Sequence, residues 1–77
     1  MSKIKMNSVK QLCDFLANHR RDEWLTQAEV AGSANIPASY LSLIEAGKTD
    51  IRLSTLFRLC RALGLRVEIS ADKDTPG

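Results

Sequence analysis

One stretch, residues 27–44, constrains the fold more than any other part of the chain, because it carries signals that begin, end and restart a helix. Thr26 and Glu29 form a T-x-x-E capping box, in which the hydroxyl accepts from a first-turn amide and the carboxylate reaches back to the cap. The first helix therefore begins directly after the cap. We expect it to end near Asn35, since Pro37 disfavours a helical conformation at the preceding residue and Asn tolerates the left-handed conformation that closes a helix.

A second short helix follows at once. Pro37 suits its first turn, where the missing N–H is no loss, residues 38–46 carry it, and Gly47 ends it. Leu41 and Ile44 are three residues apart and form one inward stripe. Two short helices joined by a tight turn make a helix-turn-helix unit.

The stretch LTQAEVAGSANIPASYLSLIEAGK resembles the Cro/C1-type (XRE) helix-turn-helix, and the departures are Asn35 where that family has Gly and Pro37 where it often has Ser. The resemblance covers roughly residues 8–70. It implies an all-α, lambda-repressor-like four-helix DNA-binding domain. The matching positions are Leu25, Thr26, Gln27, Ala31, Leu41, Ser42, Glu45, Gly47 and Lys48.

Helical spacing of apolar residues predicts one further helix on each side of this unit. Ser8 caps the first, which ends in the cations of residues 19–21, and Gly64 ends the last. The predicted inward stripes are Val9, Leu12, Cys13 and Leu16 in the first helix and Leu53, Leu56, Phe57, Cys60 and Leu63 in the last. Both cysteines are interpreted as small core residues.

Residues 65–70 alternate strictly and predict a half-buried β-strand that presents Leu65, Val67 and Ile69 on one face. The favoured pairing is antiparallel, with the same strand of a second copy across a two-fold axis, and the rival is pairing with residues 3–6. Such a dimerisation strand resembles that of HipB-like antitoxins. The expected organisation is an N-terminal arm (1–7), either a strand or a disordered basic arm, then the domain (8–64), the strand (65–70) and a flexible tail (71–77).

A recognition helix reads bases in the major groove from its N-terminal residues. In the resembling family, Ala38, Ser39, Ser42 and Leu43 match base-facing positions, and this set lacks the Arg, Asn and Gln side chains that discriminate best. We therefore expect modest direct readout, with much of the specificity taken from DNA shape. The full set of expected DNA contacts, phosphate contacts included, is Thr26, Gln27, Pro37, Ala38, Ser39, Tyr40, Ser42, Leu43 and Lys48.

The resemblance also implies an ion pair between Arg20 and Glu45, which would fix the first helix against the recognition helix and aim the guanidinium at DNA. Trp24 occupies a linker position where the family usually has Gly. We interpret it as a partly exposed lid on the corner between the first two helices, and stacking on DNA is the alternative.

Composition and charge are compatible with a small DNA-binding domain but do not identify its function. The 77 residues make one domain with a net charge of +2, but residues 67–77 carry three acidic groups and one basic group, so the remaining 66 carry +4. That excess is compatible with phosphate contact. No apolar run is long enough to span a bilayer and no secretory signal is present, so we expect a cytoplasmic protein. No paired carboxylates, metal cluster, nucleophile–base pair or phosphate loop points to an enzyme, a metal or a cofactor.

The favoured hypothesis is a transcriptional repressor that binds an inverted-repeat operator as a homodimer, as the antitoxin of a type II toxin–antitoxin pair. Its partners would then be double-stranded DNA, a second copy and a cognate toxin protein. Two alternatives stay open: a stand-alone or phage-type regulator without a toxin, and a protein-interaction module on the same fold.

Overall fold

The computed structural model describes residues 3–71 and contains four α-helices and, within that range, no strand. The helices are α1 (Val9–Asp22), α2 (Gln27–Ala34), α3 (Ala38–Glu45) and α4 (Leu53–Ala62). The all-α part of the expected fold is therefore confirmed. None of these helices is long and apolar enough to cross a membrane.

The ends of α2 follow from local chemistry as the sequence predicts. The Thr26 hydroxyl accepts from the Glu29 amide and the Glu29 carboxylate accepts from the Thr26 amide, which completes the capping box. Asn35 closes the helix in the left-handed conformation at φ 57°. Pro37 lies one position earlier than expected, as the N-cap of α3 rather than in its first turn, and Gly47 follows that helix with φ 71°.

The core lies between α2 and the helices that pack on it. α2 contacts both α3 and α4, while α1 contacts α3. Small residues on α2, Ala31 and Ala34, let its neighbours approach closely, and both are buried. The largest side chains that are fully buried are Leu16, Leu41, Ile44, Leu59 and Cys13.

The predicted inward stripe of α4 is wrong in part. Leu53 is 66% exposed and Phe57 is 48% exposed, whereas Thr55 and Leu59 are buried. The segment LSTLFRLCRAL is apolar on two faces, so helical spacing alone does not decide which face meets α2. Val9 at the start of α1 is also exposed, contrary to the expected stripe.

The predicted strand at residues 65–70 is not found in the single chain. Leu65 packs partly buried against the core and its amide donates to the carbonyl of Cys60 at 2.7 Å, but Val67 and Ile69 are exposed. A strand exists only where a neighbouring strand takes its backbone hydrogen bonds, and no described segment of this chain does so.

The rival pairing with residues 3–6 is absent as well. Lys3 Nζ lies 3.4 Å from a Glu68 carboxylate oxygen, so the two terminal segments approach each other through side chains, yet no ladder joins them. Residues 3–7 form neither helix nor strand. The first two residues of the expected arm and residues 72–77 of the expected tail lie outside the described part of the chain.

The packing of α4 can be tested with two identical substitutions in one helix. Leu59→Ala removes a fully buried side chain and should lower the free energy of unfolding by about 3 kcal/mol. Leu53→Ala removes a largely exposed one and should cost less than about 1 kcal/mol. Chemical denaturation of both variants measures the difference, and equal losses would contradict this orientation of α4.

Candidate nucleic-acid interface

The outward face of α3 is small, polar and open to solvent. Its buried residues are Leu41 and Ile44, which belong to the core cluster. The residues expected to face DNA bases are all exposed: Ala38, Ser39, Ser42 and Leu43. The packing of α3 thus leaves the face that carries these four residues open to solvent.

The other residues expected to contact DNA differ in their exposure and in whether their polar groups already form hydrogen bonds. Pro37 and Lys48 are exposed. Tyr40 is half-buried against the core, and its hydroxyl donates to the Asp50 carbonyl at 3.4 Å, so it packs at the rim of the domain. The Thr26 hydroxyl already accepts from the Glu29 amide, which leaves only its hydrogen to donate elsewhere.

A polar clamp, made by Arg20, Gln27 and Glu45, ties together α1, α2 and α3. Arg20 Nε donates to Glu45 Oε2 at 2.7 Å and its Nη2 donates to Oε1 at 2.9 Å, which is a bidentate pair. Gln27 Nε2 donates to the same Oε1 at 2.9 Å. Arg20 Nη1 also donates to the Leu25 carbonyl at 2.7 Å, which anchors the corner between α1 and α2. The structure therefore brings the expected pair together and adds Gln27 to it.

The two charged side chains of the clamp are buried, and their charges compensate each other. The side chains of Arg20 and Glu45 are only 11% and 4% exposed. Burial by itself would raise the pKa of Glu45, but the hydrogen bonds from Arg20 and Gln27 and the positive charges of Arg20 and Arg21 outweigh it, so this pKa lies below its usual value. The hydrogen bond to Glu45 raises the pKa of Arg20. A Glu side chain in the unfolded chain has a pKa of about 4.3. The contribution of the clamp to folding stability is therefore complete above that pH, and it is lost as the pH falls through the lower pKa of Glu45 in the folded state.

The first turn of α2 offers two free backbone donors. The capping box uses the amides of Thr26 and Glu29, and the Val30 amide donates to the Thr26 carbonyl. Within residues 3–71, the amides of Gln27 and Ala28 meet no acceptor in the hydrogen-bond network. Free N–H groups at a helix N-terminus are suited to an anion such as phosphate. These free amides could be predicted from the sequence, because a capping box forms no hydrogen bond to the amides of the two residues between its members.

Trp24 is not the partly exposed lid that the sequence suggested. Its side chain is 92% exposed, and its backbone is left-handed with φ 58°. The corner is closed instead by backbone bonds, in which the Trp24 amide donates to the Arg21 carbonyl and the Leu25 amide donates to the Arg20 carbonyl. The indole is therefore not needed to cover the core.

Comparison with known proteins places this arrangement in a family. The Helix-turn-helix family model matches residues 23–69. The uncharacterized HTH-type transcriptional regulator y4dJ of Sinorhizobium fredii is 37% identical over 70 residues, which are 90% of this chain and 91% of that protein. The HTH-type transcriptional regulator DdrOP3 of Deinococcus deserti is 37% identical over 57 residues, which are 74% of this chain and 44% of that protein. The chain belongs to the Cro/C1-type (XRE) helix-turn-helix family of transcription regulators.

Solved structures share the fold over almost the whole chain. HipB in the structure of the HipA-HipB-O2-O3 complex is 25% identical, with a TM-score of 0.82, and the match covers 92% of this chain and all of that one. The similarity to HipB that the terminal segment suggested is thus found in the fold. The chain spans less than half the length of DdrOP3, so the activity of that whole protein is not assigned to it.

A double-mutant cycle tests the clamp. Arg20→Met leaves the Glu45 carboxylate buried without its charged partner, and Glu45→Leu leaves the Arg20 guanidinium buried without its partner. Each substitution should lower the free energy of unfolding by about 3 kcal/mol. The double variant buries neither charge, so it should lose less than the sum by at least about 1 kcal/mol. Urea denaturation at neutral pH measures all four corners of the cycle.

The control for this cycle is the exposed pair between Lys10 Nζ and Asp14, which has an equally short separation of 2.8 Å. Lys10→Met should leave stability within error, because solvent screens this pair. Additive losses for the two clamp variants would contradict a coupled clamp.

Proposed function

We propose that the chain is a transcriptional repressor that acts in the cytoplasm and binds an inverted-repeat operator as a homodimer. The observation that carries this proposal is the outward face of α3, which is exposed while the clamp holds the end of the same helix at Glu45. A helix held in this way can enter the major groove as a rigid reader. Family membership and the neighbouring HipB structure support the same conclusion.

Base readout in this proposal is modest. The exposed positions of α3 include Ser39 and Ser42, whose hydroxyls bond to several bases, and Ala38 and Leu43, which suit thymine methyl groups. None of them is an Arg, Asn or Gln, the side chains that bind G or A in a bidentate manner. Specificity would then depend on DNA shape and on the spacing of two half-sites, about 34 Å apart for one helical turn.

In this proposal, contacts to the DNA phosphates position α3 in the major groove. The free amides of Gln27 and Ala28 would hold one backbone phosphate, while the Gln27 side chain keeps Glu45 in place. Lys48 is exposed beyond the end of α3 and would bind another phosphate. Arg20 has two N–H groups beyond the three donors used in its bonds to Glu45 and Leu25, so its guanidinium still has hydrogens for DNA.

Dimerisation would use residues 65–70, which pair with no other segment among residues 3–71. Exposed apolar side chains lie on this segment and elsewhere on the surface, and a second copy would cover part of them. Besides Trp24 and Leu43, they are Ile4, Val9, Leu53, Phe57, Val67 and Ile69. If two segments pair antiparallel with the axis at Val67, Leu65 faces Ile69 of the partner subunit and Arg66 faces Glu68 of the partner subunit, so the pairing joins opposite charges.

Within this proposal the favoured form is an antitoxin that represses its own operon, supported by the similarity to HipB, which has been solved in a complex with HipA. A regulator without a toxin is the alternative, since y4dJ matches over nearly its full length and is named only as a transcriptional regulator. A toxin gene beside this one, and co-purification of its product with the chain, would decide for the antitoxin.

A protein-interaction module is the second candidate function, favoured by the absence of Arg, Asn and Gln from the exposed positions of α3. Binding to random duplex DNA separates the two functions. A repressor should bind at low salt with an affinity that falls steeply as salt rises, because bound phosphates release counterions. An interaction module should show neither behaviour.

Gel shifts with a charge placed on α3 test the reading face. Ser39→Glu should weaken DNA binding by more than about tenfold, because a carboxylate would enter the groove beside phosphates. Gln11→Glu adds the same charge on exposed α1 and keeps an acceptor for the Asn7 amide, so it is the matched control and should change affinity little. Equal affinities for Ser39→Glu and the wild type would rule out this docking.

Charge exchange tests the dimer. Arg66→Glu would place like charges opposite each other in the antiparallel pair and should raise the dimer dissociation constant by about fivefold or more. Adding Glu68→Arg restores opposite charges and should recover dimerisation. Analytical ultracentrifugation measures both variants, and failure of the second change to rescue the first would contradict this register.

A further inference from the structure

The backbone of Trp24 is in a strained conformation, and burial of the side chain in the monomer does not offset that strain. The corner between α1 and α2 needs a left-handed residue, and Trp24 takes that conformation at φ 58° although bulky side chains are disfavoured there. The residue is 92% exposed, so its indole gains almost nothing from burial. A glycine would meet the backbone requirement without strain. The side chain therefore points to a role outside the monomer.

Trp24 lies close to the N-terminus of α2, where the free amides are proposed to bind phosphate. The residue stands three positions before Gln27, so its backbone lies within about 10 Å of the first free amide. Thr26 and Leu25, between them, are fixed by the capping box and by the bond from Arg20. A phosphate held at the N-terminus of α2 would thus bring the adjacent backbone of the same DNA strand to the indole.

The charges at this corner favour a contact through a neutral group. Arg21 is exposed one turn earlier and attracts phosphate, whereas Asp22 is exposed and repels it. Glu23 is turned back along α1, with its carboxylate 3.8 Å from His19 Nε2. The indole N–H only donates and phosphate oxygens only accept, so the two match without any net charge on the side chain.

We infer that Trp24 is a DNA-backbone contact at the flank of the half-site, with its Nε1–H donating to a phosphate oxygen and its ring covering the neighbouring deoxyribose. The inference rests on the proposed DNA binding and names a residue that anchors the complex beyond the reading helix. A neutral contact of this kind adds affinity without adding to the salt dependence, because it releases no counterion.

The test uses the full chain and a random duplex of about 30 base pairs at low salt, conditions under which sequence-independent binding is strongest. Trp24 is the single tryptophan of the chain, so its fluorescence reports on this position alone. We expect the emission to change on addition of DNA. Trp24→Gly should weaken binding by about fivefold and leave the slope of log affinity against log salt unchanged.

Two further variants make the result specific. Trp24→Gly should also raise the melting temperature by a few degrees, since it relieves the left-handed strain, so weaker binding cannot be due to poorer folding. Trp24→Phe keeps the ring but lacks the N–H donor, and it should bind between the wild type and the glycine variant. Lys48→Ala should instead reduce the salt slope by about one, as expected for a charged contact.

The outcomes are separable. If the wild type does not bind DNA at low salt, the proposed function and this inference both fail. If it binds DNA and the glycine variant binds equally well with no change in wild-type emission on DNA addition, only the inference fails. Emission that changes with protein concentration in the absence of DNA would assign Trp24 to a protein contact and overturn the inference.

Discussion

The bidentate pair between Arg20 and Glu45 is the interaction on which the arrangement of this domain depends. It joins the end of α1 to the end of α3, and Gln27 and the Leu25 carbonyl extend it to α2 and the corner before it. α2 and α3 have only eight residues each, too few to be stable alone. Their relative orientation is therefore set by the apolar core on one side and by the clamp on the other.

A buried ion pair is a costly way to hold helices together. Apolar side chains of similar volume often serve stability as well or better, because they avoid desolvating two charges. What the clamp offers instead is directional geometry, since the planar guanidinium accepts one arrangement of the carboxylate and fixes the position of α3. In the proposed function, α3 has to present its side chains to DNA at a defined angle, and a directional contact meets that requirement better than packing alone.

Local signals in the sequence predicted the centre of the fold well, for physical reasons. The capping box at Thr26, the left-handed closure at Asn35 and the glycine at Gly47 are decided within a few residues, and each is found as expected. The pair between Arg20 and Glu45 joins residues 25 positions apart, so it came from family resemblance rather than from any local rule.

The predictions that the single chain does not reproduce all concern features that a local pattern does not determine. The buried face of α4 depends on how it meets α2, and Leu53 and Phe57 had the right spacing on the wrong face. Residues 65–70 alternate as a strand does, but a strand also needs a partner, which the described part of a single chain does not supply. Trp24 was expected to cover a corner that backbone hydrogen bonds close without it.

Hydrogen exchange of the full chain with and without duplex DNA shows whether α3 binds DNA, because it locates the bound surface amide by amide. If the clamp presents α3 to DNA, protection should increase at the start of α2, in residues 26–28, and along α3, in residues 38–43, while α4 stays unchanged. Protection that increases on α4 and leaves α3 unaffected would contradict the account.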